Sequence, residues 1–404
     1  MSTRDFASEI VSHPDDPYPI YRDLREHGRV YSSATWKCQV LSHYEDIAAV
    51  LLDPGHFSSR GRVTNVIVRE FPEQFLEQIK PMLHHYSRGV INLDPPDHTR
   101  MRRLLQKTFL PRTLERLAIG MRQTVGELLD AAAARGTVDV VADLAYPLPV
   151  SVIGDLLGLP REDGGRLKRW SAIIMEFQAV PLPTAEAILR SQAGIVEMRA
   201  YLRELVHARR EKPQDDLISE LVALEVEGDR LAEDELLSTC LTLLVAGHET
   251  TTNLIASAIW LLLRHPAQCA RLRANPALMA SAMEEVLRFE SPLHRVGRTA
   301  TADREIAGTT IRKGETVFLL LASANRDPAQ FERPEEFDSA RTPNKHLAFG
   351  YGVHFCLGAA LARLEGPIAV NAFFDRWPNA RLGDEPLEWQ SGVMRGLKRL
   401  PLEI

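Results

Sequence analysis

The most apolar stretch of the chain, Leu236 to Leu263, is long enough to cross a bilayer as a helix. His248, Glu249, Thr250, Thr251, Thr252 and Asn253 nevertheless stand together at its middle, where lipid would penalise them most. The stretch therefore reads as a long helix buried inside a soluble protein, with something polar for its centre to face. A chain of 404 residues, 45% hydrophobic and 25% charged, is large enough to bury such a helix. The N-terminus shows no basic segment leading into an apolar core, so no signal peptide or membrane anchor is expected. A formal net charge of -6 gives no global reason to expect a nucleic-acid partner. Cys38, Cys240, Cys269 and Cys356 are far apart and form no CxxC pair, which argues against a disulfide framework or zinc ribbon and fits a reduced, cytoplasmic setting.

Around the long helix most of the sequence repeats at helical period. Asp46 to Leu52, Asp97 to Phe109, Thr113 to Arg135, Val150 to Leu157, Gly194 to Arg210, Asp215 to Leu224, Pro266 to Asn275, Pro276 to Phe289 and Leu357 to Trp377 all carry apolar residues at three- and four-residue steps. Gly136, Gly158 and Gly228 follow expected helix ends. Alternation of the strand kind is confined to Val30 to Leu41 and Glu305 to Leu321, with Lys313-Gly314-Glu315 as an expected hairpin turn. Ser58 to Asn92 and Asn325 to Lys345 read as irregular. No repeat or linker divides the chain, so one domain spanning 1–404 is expected, mainly α with a small β portion.

The sharpest local pattern runs from Phe349 to Gly358, with a helical AALARLE run behind it. Gly350 and Gly352 permit a tight loop whose backbone N–H groups can turn toward a sulfur atom. Cys356 at the start of the following helix would gain from the positive end of the helix dipole, which favours a metal-ligating thiolate. His98 and Arg102 stand four apart on a helix opened by Asp94-Pro95-Pro96-Asp97 and so share one face.

Phe349, Gly352, Cys356 and Gly358 match the haem-binding signature FxxGxxxCxG, and the chain resembles the cytochrome P450 superfamily in its soluble bacterial form. Ala246 to Thr251 resembles that family's distal-helix motif, Glu285-Val286-Leu287-Arg288 its ExxR motif, and Asn325-Arg326-Asp327-Pro328 with HLAFG its approach to the haem loop. The motifs occur in the family's order over nearly the whole chain. The resemblance implies haem b (iron protoporphyrin IX) buried between the long distal helix and the cysteine-loop helix. Cys356 would be the proximal metal ligand, while His98, Arg102, Arg298 and His354 would hold the propionates through charge-assisted bonds. Glu249 and Thr250 would be the catalytic pair, the acid relaying protons and the hydroxyl donating to bound oxygen. Gly247 would let the helix approach the haem, and Thr250 could bond back into the helix and open a kink.

Two departures accompany the match. The position often held by Arg before the Phe of PxxF is Glu336, so Arg341 becomes the expected third member of the Glu285–Arg288 network. Gly366-Pro367 interrupts the helix after Cys356, and an interior proline costs about 3 kcal/mol and predicts a kink.

The implied reaction is insertion of one oxygen atom from O₂ into an apolar organic substrate. Electrons would come from ferredoxin and ferredoxin reductase or similar donors, since the chain has no room for a fused reductase. A basic cluster of Arg100, Arg103, Lys107, Arg112 and Arg116 offers a docking face for an acidic ferredoxin, and equally an ordinary solvated face. A peroxide-driven peroxygenase is the alternative enzyme, disfavoured because Glu249 and Thr250 are both present. A non-catalytic haem-binding domain is a further alternative. Ser58 to Asn92, Trp170 to Thr184, the helix near Ala246 and Leu293 to Val296 are expected to line the pocket. Arg60, Arg62 and Arg69 could bind a substrate carboxylate there, although loop arginines are usually solvated.

Overall fold

The computed structural model describes residues 4–106, 109, 111–226, 229–390 and 392–404; Lys107 and Gly228 lie outside them. The long apolar stretch is one helix, Glu233–Arg264. Glu233, Asp234 and Glu235 crowd its first turn, where carboxylates complement the helix dipole. Glu235 also accepts from the Ala232 N–H at 2.9 Å. Leucine and isoleucine side chains on nearly every face of it are buried, as expected of a helix at the centre of a core. Packed on it are the helices Pro147–Leu157, Ala185–Glu211, Met279–Phe289 and Ala359–Arg376.

The expected helices form, most with shifts of a few residues at their ends, while the one expected from Gly194 starts nine residues earlier, as Ala185–Glu211. Gly158 takes the left-handed conformation that closes Pro147–Leu157, and Gly136, with φ 74°, follows Pro111–Arg135. The helix Ala359–Arg376 continues through Pro367, so the proline does not end it.

Two readings are corrected. Ser58 to Asn92 is largely helical, containing Asn65–Glu70, Glu73–Gln78 and Lys80–Arg88. Charged residues are mixed among the apolar ones here and no period is sustained, so the stability of these short helices comes from packing. Lys313-Gly314-Glu315 is not a hairpin turn. The hairpin lies upstream, where Arg304–Ile306 pairs with Thr309–Ile311 around Ala307-Gly308, and the next strand joins a different sheet.

That sheet has five strands in the order Val30–Ser33, Cys38–Leu41, Thr316–Leu320, Arg295–Ala300, Phe57–Ser58. Thr316–Leu320 lies parallel to Cys38–Leu41 and antiparallel to Arg295–Ala300. The second pairing sets Arg298 opposite Val317 and Val296 opposite Leu319. Residues two apart share a strand face, and both Val296 and Arg298 reach the cavity described next.

Candidate active site

Cys356 is presented by the loop the two glycines allow. Gly350 and Gly352 have φ of 71° and 69°, and a Cβ at Gly352 would lie 2.6 Å from the Leu51 carbonyl oxygen. Only glycine satisfies both conditions. The Cys356 N–H donates to the Phe349 carbonyl at 2.8 Å, and the thiol opens into a cavity of about 430 Å³. All four cysteines are free. Desolvation raises the Cys356 thiol pKa, opposed by the Gly358 backbone N–H, Arg102 and Arg363. Desolvation thus works against the thiolate that the helix start favours, and a bound metal cation would favour it again.

The long helix forms another wall of the cavity, through Ala246, Gly247, Thr250 and Thr251. Thr250 Oγ1 donates back to the Ala246 carbonyl at 3.0 Å and Thr251 Oγ1 to Gly247 at 3.2 Å. The helix is nonetheless continuous through this turn, so the back-bonds do not break it. A Cβ at Gly247 would come within 3.1 Å of Ile153 Cδ1, so the helix also packs closely on Ile153 at this glycine. Glu249 is not among the cavity-lining residues. Its Oε1 lies 3.5 Å from Nε2 of buried His248, whose Nδ1 bonds to the Leu244 carbonyl at 2.7 Å and whose ring meets Tyr146 edge-on.

The four expected propionate partners converge on this cavity from three separate segments. The rings of His98 and His354 lie 4.2 Å apart between centroids, and His354 Nε2 is 3.0 Å from Ser59 Oγ. Buried His98 Nδ1 has no hydrogen-bond partner among the described residues. Among the described residues no carboxylate pairs with Arg102 or Arg298. Desolvation, then the charge of Arg62, lowers Arg298 to about 10. Desolvation, then Arg298 and His98, pushes His354 down to about 2. Such a cationic cluster lacks its anion. A flat dianion carrying a metal fits both halves of the site, since its carboxylates would meet the cluster and its metal the one cysteine sulfur that lines the cavity among the described residues.

Behind the cysteine loop, Glu285 and Arg288 are fully buried and paired at 2.7 Å. Arg341 completes the network, with Nε 3.0 Å from Glu285, as the sequence suggested. Of the basic cluster, Arg100 pairs with Asp229 and Glu235, and Arg116 with Asp215. Much of the expected docking charge is thus spent within the chain. Of the apolar residues expected to line the cavity, Ile174, Met175, Phe177 and Val180 do so, together with Met394 and Tyr86, whereas Ile173 and Leu182 do not. Met394 escaped the sequence reading because its neighbour across a β-bridge is Leu293, a contact about a hundred residues away that no local pattern encodes. Of the two adjacent histidines, His85 lines the cavity, while His84 pairs with Asp234 at 3.0 Å.

Known proteins agree with this geometry. A family model described as Cytochrome P450 matches residues 25–378. The biotin biosynthesis cytochrome P450 of Bacillus subtilis is 39% identical over 397 residues, covering 98% of this chain and 96% of its own. The cytochrome P450 monooxygenase PikC of Streptomyces venezuelae is 40% identical, covering 96% of this chain and 91% of its own. The crystal structure of P450BioI with an acyl carrier protein ligated to hexadec-9Z-enoic acid superposes with a TM-score of 0.89 at 38% identity, over 97% of this chain and 99% of that one. No helix among the described residues is long and apolar enough to cross a membrane. A cysteine loop and a polar-centred helix meeting in one cavity, under likenesses that span the chain, place it in the cytochrome P450 family, the haem b-binding monooxygenases.

Proposed function

We propose that this enzyme hydroxylates or epoxidises an apolar organic substrate with one atom of O₂, using electrons delivered by a separate ferredoxin and reductase or an equivalent pair. The observation that carries the reading is that Cys356 and Thr250 open into the same apolar cavity. When bound, haem supplies oxygen activation at iron, and a thiolate ligand pushes electron density that favours O–O cleavage.

The chain's own residues divide the remaining work. Cys356 gives the proximal sulfur. His98, Arg102, Arg298 and His354 would hold the propionates in register through charge-assisted bonds. Thr250 positions a hydroxyl at the cavity wall, and Glu249 sits one residue away beside His248, placed to bring protons from outside the cavity rather than to touch substrate. The apolar wall of Ile174, Phe177 and Val180 excludes water and takes the hydrocarbon part of the substrate, while Met175 and Met394 adapt to its shape. Relatives support an apolar substrate without narrowing it. One solved at 33% identity, CYP109E1 of Bacillus megaterium, holds testosterone, and another at 38%, the myxobacterial CYP267B1, holds myristic acid.

The test is turnover of a spectrally identified substrate under ¹⁸O-labelled dioxygen with ferredoxin, reductase and NADPH, beside a run with hydrogen peroxide alone. Label in the product of the first run and little product in the second support the reading. Efficient product formation from peroxide, with none from the electron donors, overturns it.

A further inference from the structure

Three arginines follow one another in the loop and helix after Phe57–Ser58, and only one lacks a carboxylate. Arg60 lies 2.6 Å from Asp97 and 3.7 Å from Asp94. Arg69 lies 3.2 Å from Glu70. Arg62 makes no ion pair among the described residues. Its Nε donates to buried Asn92 Oδ1 at 2.9 Å, which fixes the guanidinium plane and leaves four N–H donors unassigned.

The loop holds this side chain in place. Gly61 takes φ 68°, and a Cβ there would overlap the Asn65 amide. Arg62 lines the same cavity as Tyr86, Arg298, His354 and Cys356. Its charge adds to the desolvation that lowers Arg298. Desolvation also lowers Arg62 itself. The acid facing this cluster, Asp94, is already held by the Ser58 hydroxyl and the Ser59 N–H.

A desolvated guanidinium with a free fork is costly unless an anion meets it, and a planar carboxylate is the group that fork matches. We infer that Arg62 is a carboxylate-binding residue of this cavity, additional to His98, Arg102, Arg298 and His354, with its fork turned to an acid group of the bound molecules. The inference rests on the haem reading above. Two molecules could bring that acid, the haem through a propionate and the substrate through a terminal carboxylate.

The experiment compares wild-type holoenzyme with Arg62→Gln in two readings. One is the rate of haem transfer to apomyoglobin without substrate. The other is spectral titration with myristic acid and with methyl myristate. A propionate contact predicts haem loss at least about tenfold faster in the variant, with the acid-to-ester affinity ratio unchanged. A substrate contact predicts unchanged haem loss and an affinity for the acid weakened about tenfold or more, with the ester unaffected. Should Arg62→Gln not accumulate, Arg62→Lys keeps the charge without the fork and should show the same pattern with a smaller change. If wild type binds neither lipid, the haem reading decides alone. A variant indistinguishable from wild type in both readings overturns the inference. A wild type that takes up no haem overturns the parent reading with it.

Discussion

Arg341 Nε stands 3.0 and 3.1 Å from the two carboxylate oxygens of Glu285, the same carboxylate that Arg288 grips through Nε and Nη2 at 2.7 and 2.8 Å. Asn344 Nδ2 and the Asp338 N–H also donate to it, at 3.1 and 3.0 Å. One buried charge therefore ties Met279–Phe289 to the irregular segment beneath the cysteine loop. Arg288 extends the tie through the carbonyls of Asn325, Pro334 and Glu336.

Removing one partner of such a network leaves a buried charge less compensated. Arg341→Ala is expected to cost about 3–5 kcal/mol, read as a lower urea midpoint and faster haem loss. A loss below about 1 kcal/mol would mean that Arg288 and Asn344 suffice.

Gly352 carries a different constraint. An alanine there must adopt a left-handed backbone and displace the Leu51 carbonyl from a 2.6 Å contact. The conformation alone costs about 1–2 kcal/mol. Gly352→Ala should lose at least that in denaturation and hold less haem per chain. A variant with full haem content and wild-type stability would show that the loop does not need glycine.

Glu365 makes a prediction about pH. It is buried in Ala359–Arg376 with Oε1 unpartnered, and desolvation lifts its carboxyl to about 8 from the ordinary 4.5. Between those values the folded chain holds a proton that the unfolded chain has released. Stability should therefore fall as pH rises from about 4.5 through 8. Glu365→Gln, which cannot ionise, should lose less stability than wild type over that window in thermal denaturation. Parallel pH profiles would mean that Glu365 does not ionise in this range in the folded protein.

Thr250→Ala should leave haem uptake and stability nearly intact, since among the described residues the hydroxyl's only partner is the carbonyl one turn back. Product formed per NADPH consumed should drop severalfold, with the remainder appearing as peroxide. Unchanged coupling would remove the hydroxyl from proton handling.

What could be read from the sequence depended on whether a feature is local. The cysteine loop is written in ten contiguous residues, and the long helix declares itself by its apolar run and its polar centre. His98 and Arg102 were legible from a single helical spacing. Arg298 and His354 were named only through family resemblance. Their meeting with His98 depends on a strand pairing and a loop that join segments hundreds of residues apart. The setting of Cys356 was only half legible, because the helix start is visible in sequence and the desolvation that opposes its ionisation is not. Arg62 looked like any loop arginine until Asn92 and the cavity appeared beside it. The helices between Asn65 and Arg88 are not legible because charged residues interrupt their apolar positions and leave no sustained period.

The most direct test of the account is the absorption spectrum of the reduced protein under carbon monoxide, for wild type and for Cys356→His. Wild type should show the long-wavelength Soret band of thiolate-ligated iron, and the variant a band at the histidine-ligated position or no haem. A wild-type band at the histidine position, or haem ligation unaffected by loss of the Cys356 sulfur, would contradict it.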